Sequence, residues 1–450
     1  MRTSLPPWPE DPLPELARRA TERPVVVLDD DPTGTQTLRD ITVLTAWDVD
    51  AIAGRLDQSV LFLSTNSRAL EEADAAELTR DAARTVRDAS EAARRPVSLV
   101  SRSDSTLRGH FPAETRAIGP PGTRVLLAPF FAEAGRLTID DVHLLATDRG
   151  RVNVADTEFA RDPTFGYRSR DLREWVAARF AAAGLPAPPI ASLALELIRG
   201  SGPEGVARAL SNLAPGAVAI ANAEVDRDIE VVALGSVLAE EAGIPLVART
   251  AASFVRARAG HAPAPPLAPQ DLAIDGPGLI VVGSHVELTT GQLARLRTGL
   301  TEVRVTEVEL AVEPLVAGGA AAQAAIANAA ERLGRALAAG RIGLVATERI
   351  HRDVGLVGGR AIATALVGVV ERIGVRPGWV IAKGGVTSHE IASRALGMRE
   401  ARVAGQLVPG ASVWIGAADS RWPGLPLVIF PGNVGEETAL LRVADMLGKP

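Results

Sequence analysis

The sequence of 450 residues contains no cysteine, and this absence excludes disulfide bonds, thiolate catalysis and zinc sites built on thiolates. Its six histidines are scattered and show no spacing typical of metal ligands. No metal site built from the protein's own side chains is therefore predicted. A metal ion that takes part in function is expected to be Mg²⁺ that arrives bound to a phosphate group.

An excess of positive charge is also missing, since the formal net charge is −6 and the isoelectric point is near 5.7. Non-specific nucleic-acid binding needs a basic surface, so nucleic acid is not an expected partner. No apolar run approaches the roughly 20 residues of a membrane-spanning helix. The N-terminal segment has prolines and acids where a signal peptide has an apolar core. We therefore expect a cytoplasmic protein without a membrane partner.

Lysine is almost absent. Of the 48 basic residues only Lys383 and Lys449 are lysine, and the rest are arginine. The simplest explanation is the codon bias of a GC-rich genome. Lys449 lies in the C-terminal tail, whereas Lys383 lies inside a predicted domain, which singles it out.

The stretch that organises the first half of the chain is VVVLDDDPTGTQ, residues 25–36. An apolar run leads directly into three acids and a Pro-Thr-Gly turn, which predicts a buried strand whose carboxyl end projects acids into a loop. Ligands of open α/β sheets collect at such places. The alternative is a solvated acidic turn, but the small residues after the acids would let a ligand come close and favour a binding site.

Apolar strand patterns alternate with helical patterns along the chain, which predicts an α/β protein with mostly parallel sheets and helices on both faces. A Pro- and Ala-rich segment at 257–277 is typical of a linker. We therefore predict two domains, 1–265 and 275–450, each with its own sheet. Residues 191–199 are predicted as a strand followed by a helix from about 204, and the residues up to about 165 as a polar stretch.

Three loops of the second predicted domain share one design. Each follows an apolar strand and precedes a helix, and each contains glycine: residues 283–285, 383–390 and 430–437. Glycines allow close approach, and the backbone N–H groups at a helix start favour an anion. Three such loops predict a phosphate-binding surface, although βα turns are also glycine-rich for packing reasons. The sequence has no G-x-x-x-x-G-K-[ST] motif, so it is not a P-loop protein.

Arginines and hydroxyl residues gather at predicted strand ends in the first domain. Arginine forks recognise carboxylates, and Asp beside hydroxyl side chains suits a polyhydroxylated ligand. The alternative is that these arginines only decorate the surface of an Arg-rich chain. The residues are Arg68, Arg102, Asp104, Ser105, Arg108 and Arg136.

A rival signal predicts a different class of enzyme. Gly200, Gly202 and Gly205 spell G-x-G-x-x-G after an apolar stretch, and Glu224 follows about 20 residues later, as in a dinucleotide-binding fingerprint. The position deep inside a domain and Pro203 favour ordinary helix initiation instead. An NAD(P)-dependent oxidoreductase therefore stays open as the alternative.

Several motifs, taken in order over nearly the whole chain, resemble the four-carbon acid sugar kinase family. They are LDDDPTGTQ, TNSR, SRSDSTLRG, PFFAEAGR, DTEFARDP, VVGSHVELTTGQL, AKGGVTSHEIASRALG, GQLVPGASVW and FPGNVGEE. The resemblance implies phosphorylation of an acid such as threonate, erythronate or 3-oxo-tetronate with ATP. It also implies that the N-terminal domain holds the sugar acid and the C-terminal domain the nucleotide.

Matched position by position, the resemblance implies two sets of site residues. Arg102 stands where the family's substrate loop usually has lysine, and Val386 where its Gly-Gly loop often has an acid. The implied substrate-binding residues are Asp30, Asp31, Arg68, Arg102, Ser103, Asp104 and Ser105. The implied nucleotide-binding residues are Ser284, Gly384, Gly385, Val386, Thr387 and Gly432.

The chemistry that the resemblance implies is coherent, because phosphoryl transfer depends on positioning and charge neutralisation. ATP with Mg²⁺ would occupy the glycine loops, and Asp30 or Asp104 would accept the hydroxyl proton. A non-catalytic sugar-acid sensor is a further alternative. The particular acid, the hydroxyl that is phosphorylated and a homodimeric state are left open.

Overall fold

The computed structural model describes residues 5–147, 150–300, 304–349 and 355–448, without the side chains of 355–357. The strands, in chain order, are β1 (Val25–Asp29), β2 (Ile41–Leu44), β3 (Val60–Ser64), β4 (Ser98–Arg102), β5 (Arg124–Ala128), β6 (Arg136–Ile139), β7 (Val142–Thr147), β8 (Gly150–Asn153), β9 (Ile190–Leu193), β10 (Val218–Ala221), β11 (Leu246–Thr250), β12 (Gly278–Val282), β13 (Val305–Leu310), β14 (Ile342–Thr347), β15 (Trp379–Lys383), β16 (Glu400–Val408), β17 (Ala411–Gly416) and β18 (Pro426–Phe430).

Helices connect most of the parallel strands. In chain order they are α1 (Leu13–Glu22), α2 (Val49–Ala53), α3 (Glu72–Ala92), α4 (Ala113–Ile118), α5 (Leu172–Ala182), α6 (Leu195–Ser211), α7 (Asp226–Glu241), α8 (Ala252–Arg258), α9 (Glu287–Gly299), α10 (Val312–Ala317), α11 (Gly319–Ala338), α12 (Gly355–Arg372), α13 (Gly385–Glu390) and α14 (Ala439–Leu447). None of them, within the described residues, combines the length and the apolar character of a membrane-spanning helix.

The chain divides into two compact units. The N-terminal unit contains Met1–Thr37 and Trp47–Pro263, and the C-terminal unit contains Leu38–Ala46 and Ala264–Pro450. The short segment Leu38–Ala46 joins the C-terminal unit because β2 pairs antiparallel with β16. The functional domain boundaries predicted from the sequence, 1–265 and 275–450, stay a prediction.

The N-terminal unit is built on a parallel sheet with the strand order β3-β1-β4-β11-β5-β10-β9. Every residue of β1 and of β3 is buried, as expected for strands that helices cover on both faces. Phe111, Trp175 and Val218 belong to a core cluster of this unit. The parallel order brings the carboxyl ends of all these strands to one edge.

Two sequence predictions for this unit were incomplete or wrong. The polar stretch before residue 165 contains a small antiparallel sheet, β6-β7-β8, in which β7 and β8 are too exposed to show an apolar pattern. Residues 191–199 were predicted as one strand, but the strand ends at Leu193 and α6 begins at Leu195. An apolar run this short does not distinguish a strand from a buried helix segment.

The C-terminal unit has the strand order β13-β14-β12-β15-β18-β17-β16-β2. The first five strands are parallel, and the last three add antiparallel neighbours. Ile280, Trp379 and Val428 lie in its main core cluster, and Leu267 of the predicted linker packs there too. The predicted fold class, α/β with mostly parallel sheets and covering helices, is therefore confirmed.

Candidate active site

The polar residues of the N-terminal unit meet at the carboxyl edge of its sheet. The registers of β3, β1, β4 and β11 place Ser64, Asp29, Arg102 and Thr250 side by side in one row across the sheet. The loops that carry the predicted substrate residues leave the sheet from this row. The tertiary fold thus brings together segments that are more than 200 residues apart in the sequence.

Arg68 binds two acids of the loop after β1. Its Nη2 donates to Asp30 Oδ1 at 2.5 Å and its Nε to Asp30 Oδ2 at 3.1 Å, while its Nη1 donates to Asp31 Oδ2 at 3.2 Å. Burial opposes the ionisation of Asp31, but Arg68 and Arg102 outweigh it and lower the pKa of this carboxyl. The charge of Arg68 is therefore already neutralised inside the protein.

Arg102 also forms its hydrogen bonds with groups of the protein. Its Nη1 donates to Asp29 Oδ1 and to the carbonyl oxygen of Asp31, both at 3.2 Å, and its side chain is buried. The Nε of Arg102 has no hydrogen-bond partner among the described residues. Arg102 thus holds the acidic loop against β4 and keeps one donor unused.

Asp29, which the sequence analysis did not select, is the most deeply buried acid of the edge. Burial raises its pKa to about 8, although Arg102 acts in the opposite direction. Its Oδ2 accepts from the backbone N–H of Gly34 at 3.2 Å, and a Cβ at Gly34 would lie 2.3 Å from the carboxylate oxygens. Glycine is required here because the backbone approaches the carboxyl group so closely.

Asp104 organises the loop that follows β4. It accepts hydrogen bonds from Thr106 and Arg108, with Arg108 Nε at 2.9 Å from Oδ2. Burial opposes its ionisation, but Arg108 and Arg68 hold its pKa well below the usual carboxyl value. The backbone of Ser105 is fixed by His143, whose Nε2 lies 2.7 Å from the Ser105 carbonyl oxygen.

Two buried arginines at this edge form no ion pair with a carboxylate in the described part of the chain. Arg136 Nη1 donates to the carbonyl of Ala134 at 2.6 Å, and Arg249 Nη2 to the carbonyl of Arg108 at 3.0 Å. Burial lowers the pKa of each to about 10, so both remain charged at neutral pH. Arg136 was predicted from the sequence as a residue at a strand end, whereas Arg249 was not, although a charged residue inside an apolar strand is a signal for such a site.

Unused hydroxyl groups accompany these cations. Ser103 Oγ and Thr250 Oγ1 are buried and have no hydrogen-bond partner among the residues that the structure describes. Buried polar groups normally find partners, so unused ones at a charged edge indicate a place for a polar ligand. Together with the unpaired arginines, they suit an anion that also carries hydroxyl groups.

The space beside Gly109 lies between an acid and one of the unpaired cations. A Cβ atom at Gly109 would lie 3.0 Å from Asp30 Oδ2 and 3.6 Å from Arg249 Nη2. The glycine also has a φ of +113°, which side chains rarely adopt. Glycine therefore keeps this space clear between Asp30 and Arg249.

Glu114 is a second buried acid that was not predicted from the sequence, and it contacts the loop after β3 from the protein interior. Its Oε1 accepts from Ser67 Oγ at 2.6 Å. Burial raises its pKa to about 7, and the nearby charge of Asp30 adds to this effect. The carboxyl group supports the Asn66–Arg68 turn from inside, where Asn66 takes the left-handed conformation with a φ of +51°.

The three glycine loops of the C-terminal unit follow the adjacent strands β12, β15 and β18. The N–H groups of Gly283 and Ser284 both donate to the Lys383 carbonyl at 3.1 Å. A Cβ at Gly432 would lie 2.3 Å from Ser284 Oγ, and one at Gly283 would lie 2.2 Å from Thr387 Oγ1. The structure thus packs the predicted nucleotide-binding residues into one cluster.

The turn into α13 depends on Gly384 more than on Gly385. Gly384 has a φ of +119° and its N–H donates to the Phe430 carbonyl at 2.8 Å, while Gly385 begins the helix without a positive φ. Thr387 is buried, and the side chain of Val386 is exposed. An anion at this turn would therefore meet backbone N–H groups and an apolar rather than an acidic side chain.

The rival G-x-G-x-x-G sequence does not form a turn between a strand and a helix. All three glycines lie within α6, whose kink is at Gly202. A Cβ there would lie 2.6 Å from the ring of Trp8, so an indole fills the space on that side. Glu224 pairs with Arg151 and Arg199. These glycines therefore serve helix packing.

Two family models match consecutive parts of the chain. A sugar-binding N-terminal domain matches residues 25–258, and a nucleotide-binding C-terminal domain matches residues 279–440. The chain belongs to the four-carbon acid sugar kinase family. In this kinase family member, the charged edge of the N-terminal unit lies within the first match and the three glycine loops within the second.

Individual relatives agree with the family and its fold. A 3-oxo-tetronate kinase of Cupriavidus necator is 32% identical over 164 residues, which span 36% of this chain and 36% of that relative. A Salmonella typhimurium LT2 protein described as a tRNA synthase has a TM-score of 0.66 at 15% identity, over 93% of this chain and 98% of its own. A Haemophilus influenzae protein has a TM-score of 0.59 at 16% identity, over 93% and 99%. At these identities the two structures show the fold alone.

Proposed function

We propose that the protein is an ATP-dependent kinase that phosphorylates a hydroxyl group of a four-carbon sugar acid of the threonate, erythronate or oxo-tetronate type. The observation that carries the proposal is the space beside Gly109, where Asp30 Oδ2 and Arg249 Nη2 lie close to the same point. A sugar acid needs both groups: an acid such as Asp30 for its reacting hydroxyl and a cation such as Arg249 for its carboxylate. The family membership and the partial match to a 3-oxo-tetronate kinase support this assignment.

Recognition of the carboxylate is assigned to Arg249 and Arg136. Arg68 pairs with Asp30 and Asp31, and Arg102 Nη1 lies 3.9 Å from Asp30 Oδ1. The contribution of these two arginines to binding an anionic substrate is therefore weaker than that of a cation without an acid partner. The Arg249 guanidinium also lies 5.3 Å from the ring centroids of Phe111 and Trp175, which fix its position. The hydroxyls of Ser103 and Thr250 are proposed to bind the hydroxyl groups of the substrate.

Asp30 is proposed as the group that accepts the hydroxyl proton, in preference to Asp104. Both carboxylates accept from an arginine, but Asp104 also accepts from the N–H and hydroxyl groups of Thr106, and its pKa is held well below the usual range. Asp30 Oδ2 lies next to the side of Gly109 that carries no side chain, and Arg249 Nη2 faces the same point. A general base must reach the proton that it removes, so this geometry favours Asp30.

ATP is assigned to the three glycine loops, where Ser284, Gly384, Gly385, Thr387 and Gly432 would meet its phosphates through backbone N–H and hydroxyl groups. Val386 would offer an apolar contact. Mg²⁺ commonly binds substrate phosphates and water with only one or two carboxylates. The described residues contain no cluster of three metal-ligating side chains, so the phosphates would supply most of its ligands and the ion would neutralise their charge.

A panel assay tests the proposal. Purified protein with ATP and Mg²⁺ is offered threonate, erythronate, 3-oxo-tetronate and the corresponding uncharged four-carbon sugar alcohol, and ADP formation is measured. We expect ADP formation with one or more acids and none with the alcohol. Binding of an acid without turnover would indicate the sensor instead.

The oxidoreductase alternative makes the opposite prediction for ligand stabilisation. A ligand that binds only the folded state raises the melting temperature. We expect ATP with Mg²⁺ to raise it and NAD(H) or NADP(H) to leave it unchanged, because the candidate fingerprint lies inside α6. Stabilisation by a dinucleotide alone would contradict the kinase.

A further inference from the structure

Lys383 is the last residue of β15 and is completely buried. Its Nζ donates to the Pro431 carbonyl at 2.5 Å and to the Gly432 carbonyl at 3.4 Å, and it lies 4.0 Å from the centroid of the Phe430 ring. It forms no ion pair with a carboxylate among the described residues. A buried lysine without a counter-ion is costly when charged, so burial favours the uncharged amine.

The hydrogen bonds of Lys383 match an uncharged amine. A neutral amine has two N–H groups, and the two carbonyl oxygens accept from both. An ammonium group has a third N–H, and apart from the face of the Phe430 ring the described residues offer it no further acceptor. Burial accordingly lowers the pKa of Lys383 well below its usual value. A charged Lys383 would need an additional acceptor, preferably an anion.

Lys383 also connects the three glycine loops. Its carbonyl oxygen accepts from Gly283 and Ser284, its side chain binds the Pro431–Gly432 turn, and the chain continues from it directly into Gly384. A change at this residue therefore acts on every loop to which nucleotide phosphates are assigned.

We propose that Lys383 is a positioning residue for the nucleotide: it is uncharged in the free protein and takes up a proton when the phosphate groups of ATP bind to the three loops. The proton comes from the buffer, and the phosphates supply the missing counter-charge. This inference rests on the proposed function, because it takes ATP as the ligand of the loops. Lys383 would then supply a positive charge to the phosphates in a site whose Gly-Gly loop has the uncharged Val386.

The titratable side chains on elements next to Lys383 are few. β12 and β18 contain only apolar residues and glycine or proline. His285 follows β12, with its Nε2 at 2.9 Å from Thr347 Oγ1, and His389 lies in α13. Glu390 ends α13 and pairs with Arg394. Glu436 and Glu437 end the third loop, and Glu437 pairs with Arg295. The test must therefore separate Lys383 from the two histidines.

Calorimetry of ATP binding to the wild-type protein, in two buffers of different ionisation enthalpy, measures the proton directly. At about pH 8 the terminal phosphate of ATP is ionised, because the second phosphate pKa is about 6, and histidines are neutral. We expect net proton uptake on binding. ATP binding with no uptake would overturn the inference and leave the kinase assignment standing, whereas no ATP binding at all would contradict the kinase itself.

The variant Lys383→Met keeps most of the length of the side chain and removes its charge and its N–H groups. We expect it to lose the proton uptake and to bind ATP on the order of 10- to 100-fold more weakly, as for a lost hydrogen bond to a charged group. Its sugar-acid affinity should not change, and Lys449→Met, the only other lysine, should behave as the wild type. Uptake that persists in Lys383→Met would assign the proton to a histidine and overturn the inference. Circular dichroism checks that the variant is folded. If it is not, the proton uptake of the wild-type protein alone tests the inference.

Discussion

Arg68 holds Asp30 through two hydrogen bonds, from Nη2 to Oδ1 at 2.5 Å and from Nε to Oδ2 at 3.1 Å. The bidentate pair orients the carboxylate that we propose as the base. It also removes Arg68 from the set of cations that are free to bind a substrate carboxylate. The residue is implied as substrate-binding by the family motif, yet its contacts in this structure are with the protein's own acids.

Replacing Arg249 should weaken binding of the sugar acid and not of ATP. Arg249→Met retains much of the packing on Phe111 and Trp175 but removes the unpaired charge. The loss of a buried charge that pairs with a ligand typically costs about 2 to 5 kcal/mol, and we expect a loss of this order in sugar-acid affinity by calorimetry. Arg84→Ala, an exposed arginine, is the control. Equal weakening of ATP and acid would contradict the assignment.

Replacing Arg68 should mainly lower the free energy of unfolding. Arg68→Met leaves Asp30 and Asp31 buried without their main counter-charge, and breaking a buried ion pair in this way costs about 3 to 5 kcal/mol. Urea unfolding should show this loss, in contrast to Arg249→Met, which breaks no ion pair in the described residues. A stable Arg68→Met that has lost only sugar-acid binding would show that Arg68 binds the substrate directly.

Arg102 allows a test with a conservative substitution. Arg102→Ala removes the bonds to Asp29 and to the Asp31 carbonyl, so we expect lower stability. We also expect the KM for the sugar acid to increase more than the KM for ATP. Arg102→Lys retains the charge, and lysine is usual here in the family that the sequence resembles. We expect this variant to retain the fold and most of the activity. If lysine is as damaging as alanine, the forked geometry of Arg102, rather than its charge, is required.

A substitution at Gly385 tests whether the glycine loops bind the nucleotide. A valine side chain at the first residue of α13 would occupy space assigned to a phosphate, so Gly385→Val should lose ATP binding while sugar-acid binding and the circular dichroism spectrum stay unchanged. Because Gly385 has no positive φ, the expected effect is steric and not due to backbone strain. Gly334→Ala in α11, where a Cβ meets no atom within 4 Å, is the control. Normal ATP binding by Gly385→Val would show that this turn serves packing only.

Asp29 should give the folded state a characteristic dependence on pH. Its pKa of about 8 lies above the ordinary value of 3.8, so between these values the folded chain retains a proton that the unfolded chain has lost. The contribution of Asp29 to stability is thus fully present below about pH 4 and decreases as the pH rises to about 8.

Asp29→Asn removes this titration. Urea unfolding at about pH 5 and about pH 8 should show a larger loss of stability in the wild type than in the variant. The comparison of the two profiles cancels the contributions of other groups. Parallel profiles would show that Asp29 is ionised in the folded protein.

The sequence alone predicted the α/β class, the buried strand before Asp30 and the glycine loops around Gly384, because apolar runs, acids and glycine turns are local patterns. It also selected Arg136 as a residue at a strand end. It did not predict the small sheet β6-β7-β8, whose exposed strands lack an apolar period, and it extended β9 into the first residues of α6.

Only the tertiary structure decided which charges cancel. Arg68 and Arg249 look alike in the sequence, but parallel pairing brings Asp30 to the first and leaves the second without an acid among the described residues. The same holds for Leu38–Ala46, which joins the C-terminal unit through pairing with β16, more than 350 residues away in the chain. Local sequence patterns determine which segments form strands and turns, while strand register and burial, which depend on distant residues, determine the charge and pKa of each group at the site.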